Sequence, residues 1–161
     1  GDLLKALSEV DYNYDVKWTL NGVNPNWLSH NYKEFASLFK SKIWEIMIAV
    51  ESGSDRLIEL MNRKYVISEL EETLINLRKI NPGFRINSLF ILGFPSETDE
   101  DFQSTINLIK NVKFDSVTLT NYSEFENRAS AKIFPKVDAE TIYERRKRAE
   151  DVLKKLKIPL Y

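Results

Sequence analysis

The alternation of apolar and polar positions is most informative between Ile46 and Leu57. The apolar run Ile46-Met47-Ile48-Ala49-Val50 is too short for a helix, and it ends in the polar sequence Glu51-Ser52-Gly53-Ser54-Asp55 before a helical pattern begins. This order predicts a buried parallel strand, a tight turn and the start of a helix. The free N–H groups of the first helical turn point back towards the strand end, where they favour an anionic ligand group.

The residues before this stretch predict a helix, a strand and a second helix. Apolar residues at positions 3, 4, 7 and 10 have the spacing of the tail of an amphipathic helix, and no cap precedes them. We therefore expect the sequence to begin inside an element. Residues 16–20 alternate as a strand, residues 21–25 form a loop, and residues 31–39 have a helical apolar face.

After the central strand, the pattern predicts a short helix through Leu57, Ile58 and Met61, and then a longer one from Ser68. Ser68 and Glu71 have the spacing of a capping box. Residues 85–92 form the next strand, and residues 93–98 turn the chain into another helix. Thr98 is predicted to cap that helix, whose first turn holds three acidic residues where the macrodipole favours negative charge.

The last part of the chain predicts a fourth strand over residues 114–121, a polar stretch over 122–135 and a final helix capped by Asp138. The basic cluster in residues 144–148 is interpreted as a solvated helix face.

Strands and helices thus alternate without hairpin signals, which predicts an α/β fold with a parallel sheet of about four strands and flanking helices. The loops after the strands, at residues 21–24, 51–54, 93–97 and 122–126, should converge on one ligand-binding edge. Four strands cannot close an eight-stranded barrel, so we expect part of a larger barrel.

Composition narrows the chemistry. A chain of 161 residues fits one domain, and a formal charge of −1 lacks the basic excess typical of proteins that bind nucleic acid by its phosphates. The sequence has no cysteine and a single histidine, His30, which leaves only a carboxylate-based metal site possible among these residues. No apolar run approaches the roughly 20 residues that span a bilayer, so we expect no membrane contact and a cytoplasmic protein.

Several polar residues at the predicted strand ends are candidates for chemistry. Glu51 could bind a ribose diol or an ammonium group, or it could act as a general base. It could equally be a structural carboxylate that accepts hydrogen bonds from backbone N–H groups. Ser54 or Asp55 could have no role beyond capping the helix that follows. Gly93-Phe94-Pro95 could form a wall for a flat heterocycle. Glu97 could contact a ligand or stabilise a helix start, and Arg63 could pair with a carboxylate or face solvent.

Four segments together resemble the radical S-adenosylmethionine (SAM) superfamily, and within it the methylthiotransferases, which modify tRNA adenosines or a ribosomal protein. They are Val50-Glu51-Ser52-Gly53-Ser54-Asp55-Arg56, Leu60-Met61-Asn62-Arg63-Lys64-Tyr65, the Ile91-Leu92-Gly93-Phe94-Pro95-Ser96-Glu97-Thr98 sequence with the acidic residues after it, and Phe114-Asp115-Ser116 through Tyr122-Ser123. The resemblance spans nearly the whole chain in order and spacing.

The resemblance implies an incomplete TIM-like (β/α)6 barrel, of which residues 1–161 form one domain with the third to sixth strands. The CxxxCxxC loop that holds the family's 4Fe–4S cluster is not among these residues, so the cluster would belong only to the full-length protein. The remainder of the barrel is accordingly an expected partner, and the chain alone is expected to be inactive. The expected cofactor of the chain itself is SAM.

By the same resemblance, Glu51 matches the polar position that contacts the ribose or methionine part of SAM, with Ser52 and Ser54 beside it. Ile91, Leu92 and Gly93 match the motif that packs against adenine, and Asn121 and Tyr122 lie near the adenine edge. Arg63 matches a segment of the methylthiotransferases with a carboxylate-binding or structural role. No catalytic residue and no metal ligand is assigned.

Three departures leave the substrate subclass open. Glu51 stands where methylthiotransferases usually have Gln, and the resulting Glu51-Ser52-Gly53-Ser54 sequence also resembles that of cobalamin-dependent radical enzymes. Ser96 replaces a Gly of the family pattern, and residues 127–131 replace its GTPA-type segment. The alternatives are a cobalamin-dependent radical SAM enzyme, a non-catalytic barrel module for binding or assembly, and a stand-alone nucleotide-binding domain.

Overall fold

The computed structural model describes residues 1–10 and 15–161. Within them, the four strands are β1 (Trp18–Val23), β2 (Ile43–Glu51), β3 (Arg85–Leu92) and β4 (Ser116–Asn121). The helices are α1 (Asp2–Ser8), α2 (Pro25–Asn31), α3 (Ala36–Ser41), α4 (Asp55–Leu60), α5 (Ile67–Ile80), α6 (Asp99–Val112) and α7 (Ala139–Leu156), and a 3₁₀ turn covers Ala129–Lys132.

The strands form one parallel sheet in the order β1-β2-β3-β4. Each strand lies beside its neighbour in sequence, and each connection contains at least one helix, as parallel pairing requires. The sheet is open, with β1 and β4 at its edges. The predicted α/β fold with four parallel strands and flanking helices is confirmed.

The core lies on one face of the sheet. Ile46, Ile48 and Val50 of β2 are completely buried, whereas the alternate residues Met47 and Ala49 are only half-buried. Side chains alternate between the two faces of a strand, so the helices cover the first set and leave the second set partly open.

Among the described helices, none is both long enough and apolar enough to span a membrane.

The predicted helix over residues 31–39 is wrong. Two helices, α2 and α3, occupy this region, and α2 begins at Pro25, which the sequence pattern placed in a loop. The Asn24 side chain caps α2 by accepting a hydrogen bond from Trp27 N at 3.1 Å. Proline fits the first turn of a helix, where its missing N–H has no intrahelical acceptor.

The predicted first strand is also displaced, because β1 begins at Trp18 and continues to Val23.

The capping predictions have mixed outcomes. The Ser68–Glu71 capping box is wrong, since α5 begins at Ile67 and its first N–H donates to Asp55 Oδ1 at 2.7 Å. Asp55 belongs to α4, so a neighbouring helix supplies the acceptor. The cap at Thr98 is confirmed as a capping box with Asp101, and Asp138 caps α7 by accepting from Thr141 N at 2.8 Å.

The solvated basic face expected on α7 is wrong at Arg145. Its side chain is only 7% exposed and forms an ion pair with Glu97, whose side chain is 1% exposed. Arg146 donates to Leu119 O and Asn121 Oδ1 at the end of β4. Part of the basic cluster therefore attaches the helix to β4 and to the turn after β3.

Candidate cofactor-binding site

A cavity of about 450 Å³ opens at the carboxyl ends of β2, β3 and β4. Its volume is in the range of small-molecule sites, and the carboxyl edge of a parallel sheet is where such sites form. Three of the four predicted loops contribute residues, namely Glu51, Phe94 and Tyr122 with its neighbours. The loop at residues 21–24 does not line the cavity.

Five of the nine predicted site residues line this cavity: Glu51, Arg63, Ile91, Asn121 and Tyr122. The other four, Ser52, Ser54, Leu92 and Gly93, lie outside the lining. Ser52, Leu92 and Gly93 are each next in sequence to a lining residue, whereas Ser54 is not. The structure thus brings together side chains separated by as many as 71 positions in the chain, between Glu51 and Tyr122.

Glu51 and Arg63 form an ion pair within the cavity wall, with Arg63 Nη2 at 2.7 Å from Glu51 Oε1. The Glu51 side chain is 9% exposed and that of Arg63 is 44% exposed. Burial raises the pKa of Glu51, and the guanidinium of Arg63 opposes this shift. The sequence left two roles open for Arg63, pairing with a carboxylate and facing solvent. In the structure Arg63 pairs with the Glu51 carboxylate.

Glu51 has a left-handed backbone conformation, with a φ of 67°. A residue with a Cβ atom is strained there, and such strain persists only where the surrounding structure fixes the backbone. The turn is fixed by Ser52 N, which donates to Val50 O at 2.8 Å, and by the Tyr65 hydroxyl, which donates to the same carbonyl. The strained turn holds the Glu51 carboxylate at the cavity.

The cavity lining also contains apolar residues. Ile91 and Phe94 contribute side chains, and Phe94 packs edge to face on Tyr122 with 5.5 Å between ring centroids. Tyr122 N donates to Leu92 O at 2.8 Å, which joins the end of β4 to the end of β3. Of the Gly93-Phe94-Pro95 segment, Phe94 lines the cavity and the other two residues do not.

The hydroxyls of Ser52 and Ser54 bond within the protein. Ser54 Oγ donates to Asp101 Oδ1 at 2.5 Å and accepts from Leu57 N at 3.4 Å, so it caps α4. Ser52 Oγ accepts from Ser54 N at 3.1 Å. Between them, a Cβ on Gly53 would lie 2.6 Å from the backbone of α6, so only glycine permits this close approach.

Gly93 and Glu97 fix the turn that carries Phe94. Gly93 has a φ of 77°, and its N–H donates to Glu97 Oε2 at 2.8 Å. Arg145 Nη1 donates to the same oxygen at 2.8 Å and to Glu97 O at 3.2 Å. Burial raises the pKa of Glu97, and both the Gly93 N–H and Arg145 oppose the rise. Glu97 thus bonds within the protein and does not line the cavity.

Sequence reasoning missed several cavity residues in the stretch after β4. Phe125, Arg128 and Ser130 line the cavity, although the pattern there indicated only a polar segment. The available signal was an aromatic residue and an arginine close behind a strand that ends at the ligand-binding edge.

Iron–sulfur ligands are not found among these residues. The sequence contains no cysteine, and residues 1–10 and 15–161 hold no group of three His, Asp or Glu side chains suited to a metal ion. The chain's own side chains therefore do not fit a 4Fe–4S cluster.

Comparison with known proteins supports one superfamily. The profile of the radical SAM superfamily matches residues 1–109. The tRNA-2-methylthio-N(6)-dimethylallyladenosine synthase of Ehrlichia canis is 30% identical over 154 residues, which cover 96% of this chain and 34% of that protein. The threonylcarbamoyladenosine tRNA methylthiotransferase of Thermotoga maritima is 36% identical over 126 residues, which cover 76% of this chain and 28% of that protein. The chain thus spans about a third of the length of these curated relatives.

Solved structures show the same fold at low identity. Coproporphyrinogen III oxidase from Escherichia coli, described as a radical SAM enzyme, superposes with a TM-score of 0.68 at 20% identity, covering 96% of this chain and 36% of that one. Elp3 from Methanocaldococcus infernus gives a TM-score of 0.68 at 15% identity, covering 91% of this chain and 35% of that one. The open sheet corresponds to part of the barrel-like fold of these proteins. The chain belongs to the radical SAM superfamily.

Proposed function

We propose that residues 1–161 form the SAM-binding half of the catalytic domain of a radical enzyme that transfers methylthio groups to tRNA or to a protein. The observation that carries this proposal is the cavity at the ends of β2, β3 and β4, which is lined by the Glu51–Arg63 pair and by the apolar residues Ile91 and Phe94. The names of the curated relatives support the methylthiotransferase assignment.

The polar part of the cavity fits the ribose and methionine part of SAM. Arg63 bonds to Glu51 Oε1, and among the described residues no donor reaches Oε2. A carboxylate with a free oxygen accepts hydrogen bonds from ribose hydroxyls or from an ammonium group, and a guanidinium binds a carboxylate through its planar fork. SAM carries all of these groups.

The apolar part fits adenine. Ile91 and Phe94 provide side chains against which a flat heterocycle packs, and Asn121 and Tyr122 lie at its edge. We assign Ser52 and Ser54 to holding the Glu51 turn, and Leu92 and Gly93 to holding the Phe94 turn. In this proposal the four residues do not contact SAM themselves; they position the cavity residues that bind it.

Reductive cleavage of SAM at an iron–sulfur cluster is the chemistry that the cofactor supplies in this superfamily. In this chain, Glu51 and Arg63 would orient the polar end of SAM, while Ile91 and Phe94 would exclude water from the adenine ring. Because the sequence offers no cysteine, we propose that the cluster is held by other parts of the barrel in the full-length protein and that these residues alone are inactive.

A titration of S-adenosylhomocysteine into the full-length protein, followed by calorimetry, tests the binding site. We expect Glu51→Gln to weaken binding about tenfold, as loss of one charge-assisted hydrogen bond predicts. Glu45→Gln is the matched control, because Glu45 lies on the same strand and bonds to Asn87 away from the cavity. Equal losses in the two variants, or no binding by the unmodified protein, would refute the proposed site.

A second experiment tests the reaction. After anaerobic reconstitution, the full-length protein should bind iron and release 5′-deoxyadenosine from SAM, and failure of either would refute the catalytic proposal. Mass spectrometry of tRNA nucleosides and of ribosomal proteins then separates the two substrate classes. If the purified full-length protein retains cobalamin, it would instead be assigned to the cobalamin-dependent radical SAM enzymes.

A further inference from the structure

Two consecutive arginines of α7 reach two different places beside the cavity. Arg145 bonds to Glu97 in the turn after β3, whereas Arg146 bonds to β4. Consecutive residues of an α-helix point about 100° apart, so the two side chains diverge towards neighbouring strands. Arg146 itself does not line the cavity, but its partner Asn121 does.

Arg146 is held in one position by several partners. Its Nη2 donates to Leu119 O at 2.9 Å and to Asn121 Oδ1 at 2.8 Å, and its Nε donates to the same Oδ1 at 3.2 Å. Its Nη1 lies 3.8 Å from Oε1 of Glu150, one turn further along α7. Because the guanidinium is a rigid planar fork, it loses little freedom for each contact that it makes. The Arg146 side chain is therefore fixed between α7 and β4.

These contacts determine the orientation of the Asn121 amide. A side-chain amide has an acceptor oxygen and a donor nitrogen, while a guanidinium has donors only. Arg146 can therefore bond only to Oδ1, and its two donors occupy both lone pairs of that oxygen. Among the residues that the structure describes, no acceptor lies within hydrogen-bond distance of Asn121 Nδ2. To a ligand in the cavity, Asn121 thus offers a donor and not an acceptor.

We propose that Arg146 is a positioning residue that makes Asn121 a hydrogen-bond donor to a ring nitrogen of the purine base in the cavity. The ring nitrogens of adenine are acceptors and its exocyclic amine is a donor, so the fixed amide matches a ring nitrogen and not the amine. An amide free to rotate would serve either group. A polar group that is fixed for one partner rejects an analogue lacking it, because the group is then left unpaired. This inference rests on the proposed function and deepens it, since it gives Arg146 a part in base selectivity.

The test measures by calorimetry how the full-length protein binds S-adenosylhomocysteine and its 1-deaza, 3-deaza and 7-deaza analogues. Each analogue has C–H in place of one ring nitrogen and therefore lacks one acceptor. At least one of the three should bind about fivefold more weakly than S-adenosylhomocysteine, as loss of one neutral hydrogen bond predicts. This ratio of affinities is the deaza penalty.

Arg146→Met should abolish the deaza penalty, because the Asn121 amide is then free to turn. Asn121→Asp should abolish it as well, since a carboxylate still pairs with Arg146 but has no donor for the base. Lys147→Met is the matched control and should keep the full penalty. It removes the next cation of α7, whose Nζ lies 4.9 Å from the centroid of the Tyr143 ring.

The outcomes separate the positioning role from a merely structural one. If Arg146 only stabilised the fold, Arg146→Met would weaken all four ligands by the same factor and leave the deaza penalty unaltered, which would refute the proposal while the proposed function stands. The absence of a penalty from all three analogues in the unmodified protein would refute it too. If the unmodified protein binds no S-adenosylhomocysteine, the proposed function itself fails.

Discussion

Arg145 Nη1 lies 2.8 Å from Glu97 Oε2, although the two residues are 48 positions apart in the chain. Their side chains are 7% and 1% exposed, so the pair is buried between α7 and the turn that follows β3. Glu97 also accepts the Gly93 N–H, and this turn carries Phe94 to the cavity wall. The pair therefore joins the last helix to the wall of the proposed SAM site.

We expect Arg145→Met to lower the free energy of unfolding by about 3–5 kcal/mol, because it leaves Glu97 buried without its cation. The matched control is Arg148→Met, whose ion pair with Asp99 is exposed on both sides. Exposed pairs contribute at most about 1 kcal/mol. Urea unfolding of both variants measures the difference, and equal losses would contradict the importance of the buried pair.

Asp101 should make stability depend on acidity. Burial alone raises the pKa of Asp101, but hydrogen bonds from Arg56, Ser54 and Thr98 outweigh it and hold the pKa at about 2. The folded protein thus binds this proton more weakly than the unfolded chain, whose aspartate pKa is near 3.8. The resulting stabilisation, about 2 kcal/mol, is fully present above pH ~4 and is lost as the pH falls towards 2.

Urea unfolding at several pH values checks this expectation. The unfolding free energy of Asp101→Asn should fall less steeply between pH ~4 and ~2 than that of the unmodified protein, because the titrating group is gone. Asp99→Asn serves as the comparison, since Asp99 and its partner Arg148 are both exposed. A slope that Asp101→Asn leaves unaltered would show that other carboxylates carry the acid sensitivity.

Ser96→Gly should stabilise the protein. Ser96 has a φ of 66°, and relieving the left-handed strain of a residue with a Cβ is worth about 1 kcal/mol. The lost Oγ contact with Arg56 is exposed and long, at 3.3 Å, so it offsets little of this gain. Ser104→Gly, the same substitution inside α6, should instead destabilise by up to about 1 kcal/mol. Thermal unfolding that shows the same sign for both variants would rule out the strain.

Gly53→Ala should be strongly destabilising. The new Cβ would lie 2.6 Å from Ser104 O and Thr105 Cα, and backbone atoms of a packed helix cannot move aside cheaply. We expect a loss of about 3 kcal/mol or more from overpacking, measured by urea unfolding. Gly83→Ala is the control, because its Cβ would approach only the Asn81 side chain, at 3.5 Å. Similar losses in the two variants would contradict the predicted close approach at Gly53.

The sequence by itself determined the order of the four strands and the edge at which the cavity forms, and it missed that two helices stand between β1 and β2. Alternation and helical spacing are local properties, and parallel connections place every strand end at the same edge, so Glu51, Ile91 and Tyr122 could be predicted as neighbours. The Thr98 and Asp138 caps were predictable for the same reason, since cap and N–H are three residues apart.

Only the tertiary structure decided which polar groups face the cavity and which bond within the protein. Ser54 bonds to Asp101, Asp55 caps α5 and Glu97 pairs with Arg145, over separations of 47, 12 and 48 residues. Such partners depend on how helices pack across the sheet, and spacing along the chain carries no information about that packing. The loop with Phe125 and Arg128 reached the cavity mouth for the same reason, through the hydrogen bonds of Tyr122 and Lys136 that fold it back.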